Sequence, residues 1–192
     1  MAVAPTGILG GVFDPPHLGH VALAQAALRE LGLAELAVLV VADPGHKRTA
    51  TPAKTRLELA RLAFEGVEGT SVELDRHART VDSLEERRPP DAVFVLGSDE
   101  LAAFSTWRSP ERILELVRLG VALRPGTSPD AVRRVAAELG AEGRILEFEL
   151  EPHPISSSDI RDRVAHGLPV DDLVPTKVAD AIRRLSLYAA PE

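Results

Sequence analysis

Two rhythms of apolar residues alternate along the chain. Short apolar runs fall at Gly7–Phe13, Glu35–Ala42, Ser71–Asp75, Ala92–Gly97, Gly120–Leu123 and Ile145–Leu150, and their composition and length predict β-strands. Between them, apolar residues spaced three and four apart predict helices over Leu18–Leu31, Thr55–Phe64, Ser83–Arg87, Pro110–Leu119 and Asp130–Leu139. Strand and helix in strict alternation imply parallel strands joined by crossover helices, the α/β class. After the last strand the pattern changes: Asp159–Ala165 and Thr176–Leu185 read as two helices with no strand between them.

The expected architecture is therefore a Rossmann-like parallel sheet with helices on both faces and a small C-terminal helical appendage. A single domain over residues 1–192 is expected, with the sheet core in 1–150 and the helical part in 151–192. Punctuation agrees with these boundaries. Gly32 and Gly140 follow helical runs where a left-handed cap is expected, and Ser109-Pro110 reads as an N-cap followed by proline at the first helical position. Asp43–Lys54 is the longest polar loop that carries Pro and Gly, and no internal repeat or low-complexity tract is visible.

Composition narrows the classes of function. With 45% hydrophobic and 27% charged residues the chain is of the globular type, and with no Cys it holds neither disulfides nor thiolate chemistry. A net charge of −7 argues against general affinity for nucleic acid, so phosphate chemistry here requires a local cluster of cations. The first residues lack the pattern of a secretory signal and no apolar run has the length of a membrane span, so a cytoplasmic location without a membrane partner is expected.

The segment Gly10-Gly11-Val12-Phe13-Asp14-Pro15-Pro16-His17-Leu18-Gly19-His20 leaves the first strand and enters the first long helix. Two glycines let the backbone approach a ligand, and the Asp-Pro-Pro turn ends the strand. His17 and His20, three apart in the first helical turn, project from one side beside free backbone N–H groups and the positive end of the helix dipole. Two imidazoles there can donate to a phosphate whose charge shifts as a P–O bond breaks, without acting as nucleophiles. A lone histidine at that place would be a cap or a packing residue.

A second constellation is Pro154-Ile155-Ser156-Ser157-Ser158-Asp159-Ile160-Arg161, where hydroxyls at a helix start can cap the helix or donate to phosphate while Arg161 adds charge. A third is His46-Lys47. The chain has three Lys against nineteen Arg, and a compact ammonium on a flexible stem can follow a phosphate in which charge develops; the alternative is a solvated loop lysine. Trp107, the only Trp, lies after a strand end and is either a stacking platform for a planar ring or a core aromatic.

GGVFDPPHLGH resembles the GG-x-FDP-x-H-x-GH signature of the nucleotidylyltransferase superfamily, and Ile155–Arg161 resembles the ISS-[TS]-x-IR element paired with it. No P-loop and no G-x-G-x-x-G dinucleotide fingerprint is present. Further segments are similar to the bacterial nicotinate-nucleotide adenylyltransferases over nearly the whole chain: Gly45-His46-Lys47 resembles their PHK loop with Gly for Pro, and Arg56 opens the following helix. Thr80–Leu84 resembles T-x-D-T-L, preceded by Ala78-Arg79 in place of Ser-Tyr. Phe94–Asp99, Ser105–Arg108, Val121–Gly126 and Leu173–Tyr188 match that family's G-x-D strand end, T-W region, R-P-G turn and closing LVP…LY helix.

The resemblance implies transfer of AMP from ATP to nicotinate mononucleotide, giving deamido-NAD and pyrophosphate in NAD biosynthesis, with magnesium carried on the ATP and no metal site in the protein. By the same resemblance His17, His20, Lys47 and Arg161 would be catalytic. Gly10, Gly11, Phe13, His20, Gly97, Asp99, Ile155, Ser157, Ser158 and Arg161 would bind ATP, and His46, Lys47, Thr80, Trp107 and Arg124 would bind the acceptor. For Arg124 an ion pair with a surface carboxylate is the rival. Other acceptors within the superfamily (nicotinamide mononucleotide or phosphopantetheine), a non-catalytic nucleotide-binding module and a homodimer stay open.

Overall fold

The computed structural model describes residues 4–45, 49–123 and 129–190. Six strands, β1 (Thr6–Gly11), β2 (Glu35–Val41), β3 (Thr70–Asp75), β4 (Ala92–Gly97), β5 (Arg118–Leu123) and β6 (Ile145–Glu149), form one sheet in the order β3-β2-β1-β4-β5-β6. Every pairing is parallel. The helices are α1 (Leu18–Glu30), α2 (Ala53–Phe64), α3 (Thr80–Arg87), α4 (Ser98–Ala102), α5 (Pro110–Leu116), α6 (Pro129–Glu138), α7 (Ser157–Ala165) and α8 (Thr176–Arg184). No helix among the described residues is long and apolar enough to cross a membrane.

Strand alternation distributes the core over both faces of the sheet. Leu9, Val38, Val40, Val93 and Val95 point to one face and meet α1, α2, α7 and α8, where Phe64, Ile160 and Ile182 are buried. Ile8, Leu39, Phe94, Leu96 and Val121 point to the other and meet α3 to α6 through Leu84, Leu101, Ile113 and Val132. The C-terminal helices thus belong to the first face: Val178, Ala179 and Ile182 of α8 are buried in the same cluster as Phe64 of α2.

Three expectations are corrected. β1 stops at Gly11 and does not reach Phe13, whose backbone is left-handed (φ 52°) and cannot continue a strand. The helix expected over Pro110–Leu119 ends at Leu116: Val117 is extended (φ −141°), and Leu119 pairs with Phe94 as part of β5. Ser109 precedes that helix in a left-handed conformation (φ 52°) and makes no side-chain cap, although Pro110 sits at the helix start as read. The short α4 and a 3-10 turn at Phe104–Thr106 were not visible in the apolar pattern. Gly32 and Gly140 do adopt positive φ, 59° and 60°.

The site is set by where the winding reverses. Strand order runs outward from β1 in one direction and from β4 in the other, and ligands of such sheets bind beyond the strand ends at this switch point. Pairing of β1 with β4 covers Thr6↔Ala92 to Ile8↔Phe94, while β1 continues beside β2 to Gly11↔Val40. Between Leu9–Gly11 and Val95–Gly97 the two central strands part.

Candidate active site

That parting opens into a cleft of about 1000 Å³. Its walls hold most of the residues singled out in the sequence. Gly10, Gly11 and Phe13 come from β1 and its turn, His20 from α1, and Gly97 and Asp99 from β4 and α4. Thr80 and Trp107 enter from the far side, and Ser157, Ser158 and Arg161 from α7. His17 and Ile155 stand behind the wall: His17 is buried against His20, and Ile155 packs on the first core face. His46, Lys47 and Arg124 lie outside the described residues.

The two imidazoles are stacked, with ring centres 3.7 Å apart and planes inclined by 29°. His17 is the N-cap residue of α1, and its backbone N–H donates to His20 Nδ1 at 3.2 Å. An Nδ1 that accepts must be unprotonated, so neutral His20 carries its proton on Nε2. Burial, and secondarily the charge of His17, holds the His20 pKa well below the ordinary histidine value. His20 is therefore a neutral N–H donor, not a standing cation.

Phe13 explains how His20 is held. Its ring is 2% exposed and meets His20 edge-on at 4.9 Å and Phe64 at 6.0 Å. A left-handed aromatic residue costs on the order of 1–2 kcal/mol, which burial of the ring offsets. Gly11 is required beside it, because a Cβ there would lie 2.7 Å from the Phe13 ring.

The distant serine-led element does come to the histidine turn. Ser156 caps α7 by accepting from the Asp159 backbone N–H at 3.1 Å, as its residue type suggests. Ser157, expected to donate to phosphate, instead donates its hydroxyl to the Pro15 carbonyl at 2.8 Å. Arg161 donates to the Asp14 carbonyl at 2.7 Å while lining the cleft. What α7 offers an anion is thus its first backbone N–H groups and the remaining guanidinium donors.

A buried polar knot behind the turn was missed in the sequence. Asp14, 4% exposed, accepts from the Ala50 N–H (2.5 Å), the Thr51 hydroxyl (2.7 Å), the Thr51 N–H (3.4 Å) and the Tyr188 hydroxyl (2.8 Å). Arg56, 1% exposed, spends its guanidinium on the carbonyls of Val12, Val41, Ala42 and Thr51, at 2.7 to 3.2 Å. Its pKa is lowered by burial, against which the Asp14 charge acts. Asp-Pro-Pro was legible as a turn; its partners, 37 and 174 residues away, leave no local signal.

The far wall has a different character. Trp107 meets Phe94 edge-on at 6.0 Å and Phe104 at 5.2 Å, and it is both packed on the second core face and open to the cleft. The core-aromatic reading holds, and part of the side chain is left facing the cleft. Glu100 accepts from the Gly97 N–H at 3.1 Å and so closes the turn from β4 into α4, which presents Asp99 to the cleft. Asp75 and His77 flank the same wall, joined at 3.0 Å.

A cleft with a half-buried N–H donor, a helix start and a guanidinium at one end and an aromatic recess at the other suits a polyphosphate and a planar ring held together. This is the equipment of a nucleotidyltransferase, and the Cytidylyltransferase-like family model matches residues 8–163. Within that class the chain belongs to the nicotinate-nucleotide adenylyltransferase family. A protein of Bordetella avium named "Probable nicotinate-nucleotide adenylyltransferase" is 40% identical over 191 residues, 95% of this chain and 96% of that one. One of the same name from Thermomicrobium roseum is 38% identical, covering 97% and 92%. The solved structure of Plasmodium falciparum nicotinic acid mononucleotide adenylyltransferase complexed with NaAD superposes with a TM-score of 0.79 over 97% of this chain and 98% of that one. At 16% identity it attests the fold alone.

Proposed function

We propose that the chain transfers the AMP moiety of ATP to nicotinate mononucleotide, forming deamido-NAD and pyrophosphate in NAD biosynthesis. A 5′-phosphate oxygen of the acceptor attacks the α-phosphorus in line; a new P–O bond forms as the bond to the β-phosphate oxygen breaks, and pyrophosphate leaves with that electron pair. Such a transfer needs alignment and charge stabilisation more than covalent help. The observation that carries the reading is the meeting of His20, the α7 helix start and Arg161 on one cleft that also holds Trp107.

In this reading His20 Nε2–H donates to a non-bridging phosphate oxygen as charge accumulates there. His17 keeps the His20 ring in its tautomer, and Arg161 with the backbone of Ser157 and Ser158 takes the polyphosphate. Gly10, Gly11 and Phe13 shape the turn, Ile155 supports the approach to α7, and Gly97 and Asp99 hold the adenosine ribose. Thr80 and Trp107 receive the nicotinate ring. Lys47 is assigned to the triphosphate and, with His46, to the acceptor, and Arg124 to the acceptor phosphate, on the sequence alone.

The side chains suit a divalent cation that arrives on the nucleotide. The Asp14 carboxylate already accepts four hydrogen bonds, and among the described residues no three His, Asp or Glu side chains converge as for a metal. Magnesium would be held by phosphate oxygens and water, and it would neutralise charge on the departing pyrophosphate. The reaction is assigned to the cytoplasm. A homodimer is tested by solution mass, against 20.6 kDa for one chain.

Pyrophosphate release from ATP, with nicotinate mononucleotide, nicotinamide mononucleotide and phosphopantetheine offered separately, tests the assignment. Fastest turnover is expected with nicotinate mononucleotide. Turnover with phosphopantetheine alone would refute it.

A further inference from the structure

Tyr188 follows α8 and reaches back 174 residues to the phosphate turn. Its backbone is left-handed (φ 63°), an unfavourable conformation for a bulky side chain, and Ser186 two residues before it is left-handed as well (φ 48°). The tail bends twice to place one hydroxyl. That hydroxyl donates to Asp14 Oδ1 at 2.8 Å, beside the Thr51 hydroxyl, which donates to the same oxygen at 2.7 Å.

Asp14 is where these strained bends have their effect. Its side chain gathers Ala50, Thr51 and Tyr188, and its main-chain carbonyl accepts from Arg161 at 2.7 Å. The next carbonyl, of Pro15, accepts from Ser157. A shift of the Asp14 carboxylate therefore moves the acceptors that orient Arg161 and α7, and it moves the turn that leads into His17 and His20. The Tyr188 ring also packs on the first core face, so a purely structural role predicts loss of stability alone, and a positioning role predicts loss of turnover in a folded variant.

We propose that Tyr188 is a positioning residue for AMP transfer, acting through Asp14 to set the histidine turn and Arg161 against each other. The role does not touch the acceptor, which the reading above assigns to Thr80 and Trp107 on the far wall of the cleft. Burial and the adjacent Asp14 charge push the Tyr188 pKa up, so the hydroxyl stays a donor at any working pH. The inference rests on the adenylyltransferase reading given above.

The test is Tyr188→Phe in the full chain, with kcat and both KM values measured by pyrophosphate release at a temperature where circular dichroism shows the variant fully folded. Misplacing a positioned group should lower kcat by roughly ten-fold or more, with the acceptor KM within about two-fold of wild type. Thr51→Val removes the other hydroxyl donor from the same oxygen and should give the same split, which keeps the proposal open to test if the first variant folds poorly. A kcat within about two-fold of wild type in both folded variants, whatever their melting temperatures, would overturn it. A rise in acceptor KM with unchanged kcat would do so equally. Ratios are taken with whichever acceptor the wild type turns over. A wrong substrate assignment then shows as a change of acceptor, and a wrong positioning assignment as an unchanged ratio.

Discussion

His20→Asn separates the two jobs that the histidine does. The asparagine carbonyl oxygen can stand where Nδ1 stands and accept the His17 backbone N–H, a 3.2 Å bond in the wild type, so the first turn of α1 keeps its closure. What disappears is the Nε2–H and the outer half of the ring stacked at 3.7 Å on His17. Loss of one donor aimed at developing charge in a desolvated site costs about 2.7–4 kcal/mol, or roughly 100- to 1000-fold in kcat. The stability cost should be far smaller, about 1 kcal/mol, because His20 is half-buried and the lost contacts are with His17 and the Phe13 edge. Single-turnover formation of the dinucleotide, followed with saturating ATP and nicotinate mononucleotide, isolates the transfer step from product release, and urea unfolding supplies the stability. A folded Asn variant that transfers within about five-fold of wild type would show that no essential proton donor sits on Nε2.

Three further outcomes follow from the same geometry. Because the His20 pKa is depressed in the folded state, the fold binds fewer protons than the unfolded chain; stability present above the unfolded value of 6.5 should fall as pH drops below it, and His20→Asn should flatten that part of a urea-midpoint profile. An equal slope in both proteins refutes the assignment. Arg56→Met leaves four carbonyls without their donor and should cost about 3–5 kcal/mol in chemical unfolding; a loss below about 1 kcal/mol would mean that solvent replaces the guanidinium. Trp107→Leu should raise the acceptor KM by about five-fold or more while leaving the ATP KM unchanged, and as the only Trp in the chain its fluorescence in the wild type should respond to the acceptor.

What could be read from the chain was whatever repeats locally. Alternating strands and spaced helices are written in adjacent residues, and so are the histidine turn and the serine cap. β5 shows the limit: Ile113, Leu114 and Val117 keep helical spacing across a boundary that is decided by Leu119 pairing with Phe94, a contact that no window on the sequence contains. α4 is five residues long, too short to display a period, although Glu100 three residues after Gly97 was an available sign of a helix start. Ser157 had the right residue type and a different partner, because α7 docks close enough for its hydroxyl to find the Pro15 carbonyl. The Asp14–Tyr188 bond is the extreme case: both residues fall in recognisable segments, but nothing in either segment says that they meet.

The split between β1 and β4 also bears on how the empty and filled enzyme differ. Beyond Ile8 and Phe94, the inner edges of both strands have lost their neighbour in the ladder, in the middle of a sheet where such edges are normally satisfied. A nucleotide bound there, as proposed above, would bridge the two halves of the sheet. Part of its binding energy would then go into cohesion, and the protein with its substrate would be the more tightly knit object.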